Sequence, residues 1–360
     1  MGHRRKPDGR WRVDGMVNKT FIIAEAGVNH NGDPKLAMDL VDTAARCGAD
    51  AVKFQSFSAD KLVAPGAEKA EYQKRETGDG DQYAMLKALE MSEALHRKLF
   101  ARCAEMGIEF MSTPFDEEAA DFLLTLGMKR IKVPSGEITN EPFLAFLAAK
   151  GLPLIISTGM ASMDEIRHAV EIVETTRKKS GFKEHLAEVV TILHCTSNYP
   201  AQCSDVNLLA MQSIARDTGL PAGYSDHTLG LAVSTAAVAL GAKVIEKHFT
   251  LDRAMPGPDH KASLSPEELG CLVMQIRDVE TALGSAIKQP TASELPVRAL
   301  VRRSVTAAGL IRSGQTITAS NLVLLRPGTG IQPSELPQVF GKIALHDIDP
   351  GTTIQWSDLR

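Results

Sequence analysis

Two histidines, His227 and His248, close the apolar runs GYSDH and VIEKH. Imidazoles at such places suit Mn, Fe, Co, Ni or Zn, and only two protein ligands would leave coordination positions open for water and a substrate oxygen. Two lysines, Lys53 and Lys132, lie inside apolar runs of their own, AVKFQ and RIKVP. An isolated ammonium there is costly to desolvate, so an anion is expected to meet it. With the hydroxyls and amide of Ser135, Ser157, Asn198 and Ser225, the two lysines can cradle a multiply charged, phosphorylated anion. A lone histidine is more often a core residue, and a lone serine more often caps a helix. Several such groups occurring together are what point to a site. Neither a Walker loop nor a GxGxxG turn is present, which leaves nucleotide binding without support.

Those residues can meet only if a repeated scaffold presents them at one end. Eight apolar runs alternate with longer amphipathic stretches: Phe21–Ala26, Ala51–Phe57, Ile108–Ser112, Arg130–Val133, Leu152–Ser157, Val189–Cys195, Ala222–Ser225 and Lys243–Phe249. The helical patterns between and after them include Lys35–Cys47, Ala94–Met106, Glu117–Leu126, Met163–Thr176 and Pro266–Leu283. This count predicts an α/β fold, a (β/α)8 TIM barrel over residues 18–285, whose active site lies at the C-terminal strand ends. Each end is polar. In order they carry Glu25; Lys53 and Gln55; Ser112 and Thr113; Lys132 with Ser135 and Glu137; Ser157; His194 with Thr196, Asn198 and Tyr199; Ser225, Asp226 and His227; and Glu246 with His248. Period two puts Lys53 with Gln55, and Glu246 with His248, on single faces that are expected to point inward. His227 and His248, at the ends of neighbouring strands, are expected about 5 Å apart in backbone position. His30 is expected to shape its turn, and His194 to lie buried beside the site.

The Pro- and Ser-bearing stretch over 286–300 reads as a linker, and 301–360, with turn-broken β-like runs such as RSGQTITASNL and DIDPGTTI, as a small β-rich domain. A module of that size has a marginal core and is expected to lean on the barrel or a partner. Residues 1–17 are basic but lack the pattern of a secretory signal, which suggests a disordered extension and a cytoplasmic protein. Five cysteines without CxxC spacing argue against a disulfide framework and are expected to be mainly core residues. A net charge of -4 gives no footprint for nucleic acid, and no apolar run is long enough to span a bilayer.

Nine ordered segments carry a family resemblance: AEAGVNHNG, VKFQSF, STPFD, KVPSGE, ISTGM, LHCTSNYP, YSDHT, EKHFTLD and PGPDHKAS. The chain resembles bacterial N-acetylneuraminate synthases and their legionaminic acid synthase relatives over nearly its whole length, and its tail (RRSV, RPGTGI, GKIA) is similar to their SAF module, a fold also seen in antifreeze proteins. The resemblance implies condensation of phosphoenolpyruvate with an N-acylated amino-sugar aldehyde. His227 and His248 would hold Mn, with Mg or Co as alternatives. Lys53, Thr113, Lys132, Ser135, Ser157, Asn198 and Ser225 would hold phosphoenolpyruvate. Glu137 would be the acid/base, and Glu25, a second catalytic carboxylate, would face the sugar beside Gln55, Phe115, Tyr199 and Asp259. Arg326 would reach the N-acyl group from the other subunit of a domain-swapped homodimer.

The sugar stays open between N-acetylmannosamine and a 2,4-diacetamido-trideoxymannose, with a pseudaminate precursor as a third option. The segments KAEYQKRETGDGDQYAML and GPDHKASL resemble legionaminate synthases more. Other classes to weigh are a Schiff-base aldolase using Lys53 or Lys132, a metal-dependent hydrolase, and a non-catalytic carbohydrate-binding protein.

Overall fold

The computed structural model describes residues 19–64 and 66–360, so the extension expected over 1–17 lies outside the described residues. The chain divides into two compact units, with the boundary between Gly284 and Ser285. The first opens with β1 (Phe21–Gly27), α1 (Pro34–Arg46) and β2 (Ala51–Ser56). A three-helix insertion follows, α2 (Ala59–Leu62), α3 (Glu71–Thr77) and α4 (Gln82–Leu89), before α5 (Glu93–Met106) and β3 (Glu109–Pro114). The order continues through α6 (Glu117–Leu126), β4 (Ile131–Val133), α7 (Glu141–Ala149), β5 (Leu154–Ser157), α8 (Met163–Lys179), α9 (Leu186–Val189) and β6 (Val190–Cys195). It ends with α10 (Cys203–Val206), α11 (Ala210–Thr218), β7 (Ala222–Asp226), α12 (Ala232–Ala239), β8 (Val244–His248) and α13 (Pro266–Leu283).

All eight strands are parallel, in the order β3-β2-β1-β8-β7-β6-β5-β4, and the two terminal strands lie against one another. This is the expected (β/α)8 barrel. Several of its helices start where a side chain caps free backbone N–H groups. Asp33 accepts from Lys35 and Leu36 ahead of α1, and Ser162 with Glu165, and Ser265 with Glu268, form reciprocal capping boxes on α8 and α13. The outward strand faces and the helices share one large apolar core, in which Phe54, Leu99, Leu123, Leu144, Ile156 and Ile245 are fully buried. No described helix is long and apolar enough to cross a membrane.

The second unit contains α14 (Glu294–Val301) and an antiparallel pair, β9 (Ser304–Ala307) with β10 (Leu322–Leu325). Its own core gathers Val305, Ile311, Ile317, Ile331, Val339, Ala344, Ile348 and Ile354. The stretch read as a linker over 286–300 contains most of a helix, α14. Pro296 is tolerated because it sits in that helix's first turn, where its missing N–H costs nothing.

Candidate active site

The inner faces of the strands change character along their length. At one level Phe21, Ile23, Ala51, Met111, Ile155, Leu193 and Val244 fill the barrel with an apolar plug. Farther along the same faces, at the C-terminal ends, come Glu25, Lys53, Thr113, Lys132, Ser157, Cys195, Ser225, Glu246 and His248.

Four of these form a buried charge network, each no more than 5% exposed. Lys53 Nζ lies 2.6 Å from Glu25 Oε2 and 3.6 Å from Glu246 Oε2, and donates to Thr113 Oγ1 at 2.8 Å. Lys132 Nζ lies 3.5 Å from Glu246 Oε1, which also accepts from Ser225 Oγ at 2.9 Å. Glu246 therefore stands between the two lysines. Burial works against its charge, yet Lys132 and Lys53 hold its carboxyl down at about 2. Glu25 differs: burial pushes its carboxyl up to about 7, Lys53 only partly opposing this. Burial also lowers Lys132, whereas at Lys53 the two carboxylates outweigh burial and raise it. Ser157 Oγ is buried on the same inward face without any partner.

The two histidine rings lie side by side, tilted, with centroids 5.5 Å apart. His227 Nδ1 lies 2.7 Å from the Thr196 carbonyl, which orients the ring and leaves Nε2 available. Burial and the neighbouring His227 push His248 well below its usual range. Its Nδ1 is buried without a hydrogen-bond partner, 3.9 Å from Asp259 Oδ2. Two close imidazoles with an unsatisfied nitrogen and a carboxylate beside them fit a divalent cation. Among the described residues no cluster of three or more His, Cys, Asp or Glu side chains makes a ready-formed metal centre. Water or substrate would have to complete the coordination.

Tyr199 lies over both histidines, its ring centroid 4.1 Å from His227 and 5.7 Å from His248. Tyr72 on α3 packs on Tyr199 at 5.0 Å, Arg75 donates to the Tyr199 carbonyl, and Glu76 pairs with Lys261 at 2.5 Å. The insertion between β2 and β3 is thereby tied to the loops after β6 and β8.

Other candidates stand apart from the charge network. Glu137, in a short 3-10 turn after β4, accepts from Asn140 Nδ2 at 2.7 Å, and Asn198 is exposed, with its Oδ1 accepting from Tyr199 N. Ser135 Oγ accepts from Gly159 N at 2.9 Å, where any Cβ on Gly159 would collide with Ser197 Oγ. Gln55 and Phe115 are half-buried, and Phe115 packs edge-on against Phe57. Arg326 is exposed in the second unit.

A family model described as the NeuB family matches residues 40–288, and a SAF domain model matches residues 302–360. The chain belongs to the NeuB family. It is 54% identical to the N,N'-diacetyllegionaminic acid synthase of Legionella pneumophila, covering 100% of both chains. It is 47% identical to the enzyme of the same name from Campylobacter jejuni, over 91% of this chain and 96% of that one. The crystal structure of an N-acetylneuraminic acid synthetase from Leptospira borgpetersenii, in complex with citrate, superposes with a TM-score of 0.68 at 34% identity, over 79% of this chain and 94% of that one.

Within this NeuB-family barrel some site residues carry no role in the sequence reading. Glu246 was visible as a polar strand residue, but its place between both lysines depends on barrel closure. Cys195, grouped with the core cysteines, points inward with Sγ 3.7 Å from His227 Nδ1. Period two from Leu193 is the signal that could have found it. His30 does shape its turn, its Nδ1 accepting from Gly32 N. His194 is on the outward face, half-buried, bonded to the Val206 carbonyl at 2.6 Å rather than to the site.

Proposed function

We propose that this chain condenses phosphoenolpyruvate with the open-chain aldehyde of 2,4-diacetamido-2,4,6-trideoxymannose and water, giving N,N'-diacetyllegionaminate and phosphate. The observation that carries this choice of sugar is the 54% identity, end to end, with the Legionella enzyme. The type of reaction, a sialic acid synthase condensation, accords with the relatives named as legionaminic acid and N-acetylneuraminate-9-phosphate synthases. N-acetylmannosamine is the second reading, favoured by the match to the Leptospira synthetase.

Lys53 and Lys132 bind the carboxylate and phosphate of phosphoenolpyruvate, with Thr113, Ser135, Ser157, Asn198 and Ser225 fixing its oxygens. Ser157, whose hydroxyl is buried and unpartnered, supports this assignment. His227 and His248 would hold the divalent cation, Mn or alternatively Mg or Co, which when bound supplies Lewis-acid polarisation of a carbonyl oxygen. Gln55, Phe115, Tyr199 and Asp259 orient the sugar so that its aldehyde carbon faces C3 of phosphoenolpyruvate. The C3–C1 bond then forms, water adds at C2, and the C2–O bond breaks so that phosphate leaves with the bridging oxygen. Glu25 and Glu137 would hold or move protons, on the aldehyde oxygen and the attacking water respectively. A second copy of the chain, by exchange of its C-terminal unit, would supply Arg326 to the N-acyl group. Work in the cytoplasm goes with this reading.

Phosphoenolpyruvate labelled with 18O at the bridging position tests the chemistry. The label is expected in the released phosphate; label retained in the organic product would overturn C–O cleavage.

A further inference from the structure

Asp226 and Lys247 form a second buried ion pair, on the outward face of the same strand ends, that takes no part in the chemistry above. They are register partners across β7 and β8, each no more than 2% exposed, with Lys247 Nζ 2.7 Å from Asp226 Oδ2. Each is the chain neighbour of a histidine, Asp226 of His227 and Lys247 of His248. Neighbouring residues on a strand point to opposite faces, so the pair sits behind the histidines and cannot touch substrate. Lys247 also donates to the Thr228 carbonyl at 2.7 Å and so grips both chain neighbours of His227. Asp226 completes the arrangement. Its Oδ1 accepts from Thr228 N and Oγ1, each at 2.8 Å, and its Oδ2 from Ser234 Oγ at 2.6 Å.

Burying two charges in an apolar layer costs more desolvation than their attraction commonly returns, and an apolar pair of like size would often serve stability as well. What a charged clamp adds is a fixed geometry. We infer that Asp226 and Lys247 are positioning residues that lock the β7 and β8 ends in register, holding His227 and His248 at the spacing that binds a divalent cation. This rests on the reading of the two histidines as metal ligands. Outer groups that fix ligand orientation commonly change metal affinity about 10- to 100-fold when lost.

The test uses the full chain and Mn2+ titration followed by electron paramagnetic resonance of the free ion, with circular dichroism to check folding. Lys247→Met is the first variant. The double variant Asp226→Asn/Lys247→Met, which leaves no unpaired charge and keeps an acceptor for Thr228, covers the case in which the single variant does not fold. The expected result is Mn2+ affinity weakened about 10- to 100-fold in a folded protein, with KM for phosphoenolpyruvate within about twofold of the parent, because the lysine cradle lies on the inward face. Unchanged Mn2+ affinity in a folded variant overturns the inference alone. Failure of the parent protein to bind Mn2+ overturns the reading of the histidines, and the inference with it.

Discussion

The interior of the barrel holds two layers built on the same strands. The lower layer, with Ile23, Met111, Ile155 and Leu193, is wholly apolar. The upper layer, reached mostly by moving two residues along the same strands, holds Glu25, Lys53, Lys132 and Glu246 with hardly more exposure to solvent. The lower layer lowers the free energy of the fold by burying apolar surface. The upper layer spends part of that gain on desolvating charges. Stability and function are thus separated by about 7 Å of strand, the rise of two residues.

Substitutions in each layer test this division. Glu246→Ala should have the largest effect, because it leaves Lys53 and Lys132 with an uncompensated excess of positive charge. A loss of about 3–5 kcal/mol in urea denaturation is expected, together with loss of phosphate release. Ile155→Ala should cost about 2–5 kcal/mol in the same measurement, yet leave kcat of the folded protein unaltered. A fall in kcat as large as that from an upper-layer change would contradict the division. His227→Ala is expected to slow turnover about a hundredfold or more, equivalent to about 2.7 kcal/mol, with little change in melting temperature and no further response to chelation. Turnover near that of the parent with the metal chelated would remove the histidines from the mechanism. Ser157→Ala should be smallest, raising KM for phosphoenolpyruvate only a few-fold, under about 1.4 kcal/mol, with stability nearly unchanged.

Most of the barrel was legible because its strands are short apolar runs and several helices carry explicit caps. Glu117–Leu126 and Pro266–Leu283 run between the residues expected from the pattern. The helix α12, AVSTAAVA, was not picked out because it is small and apolar on most sides and gives little amphipathic contrast. The insertion α2 to α4 shows no helical pattern in the sequence because all three of its pieces are shorter than the windows in which periodicity can be read. At the site, strand order and period two were enough to bring His227 beside His248. They could not show that Glu246 separates the lysines or that Glu137 is held by Asn140, since these depend on barrel closure and on a loop conformation. The outward clamp of Asp226 and Lys247 was hidden for a related reason: each is sequence neighbour to a histidine and was read as part of its motif.

A phosphate-release assay with phosphoenolpyruvate, Mn2+ and each candidate aldose in turn, with mass detection of the nine-carbon acid, measures both the condensation and the choice of sugar. Metal-dependent phosphate release is expected with 2,4-diacetamido-2,4,6-trideoxymannose at a kcat/KM about tenfold or more above that with N-acetylmannosamine, a difference of about 1.4 kcal/mol. Preference for N-acetylmannosamine would contradict the choice of sugar, and no phosphate release with either would contradict the condensation itself.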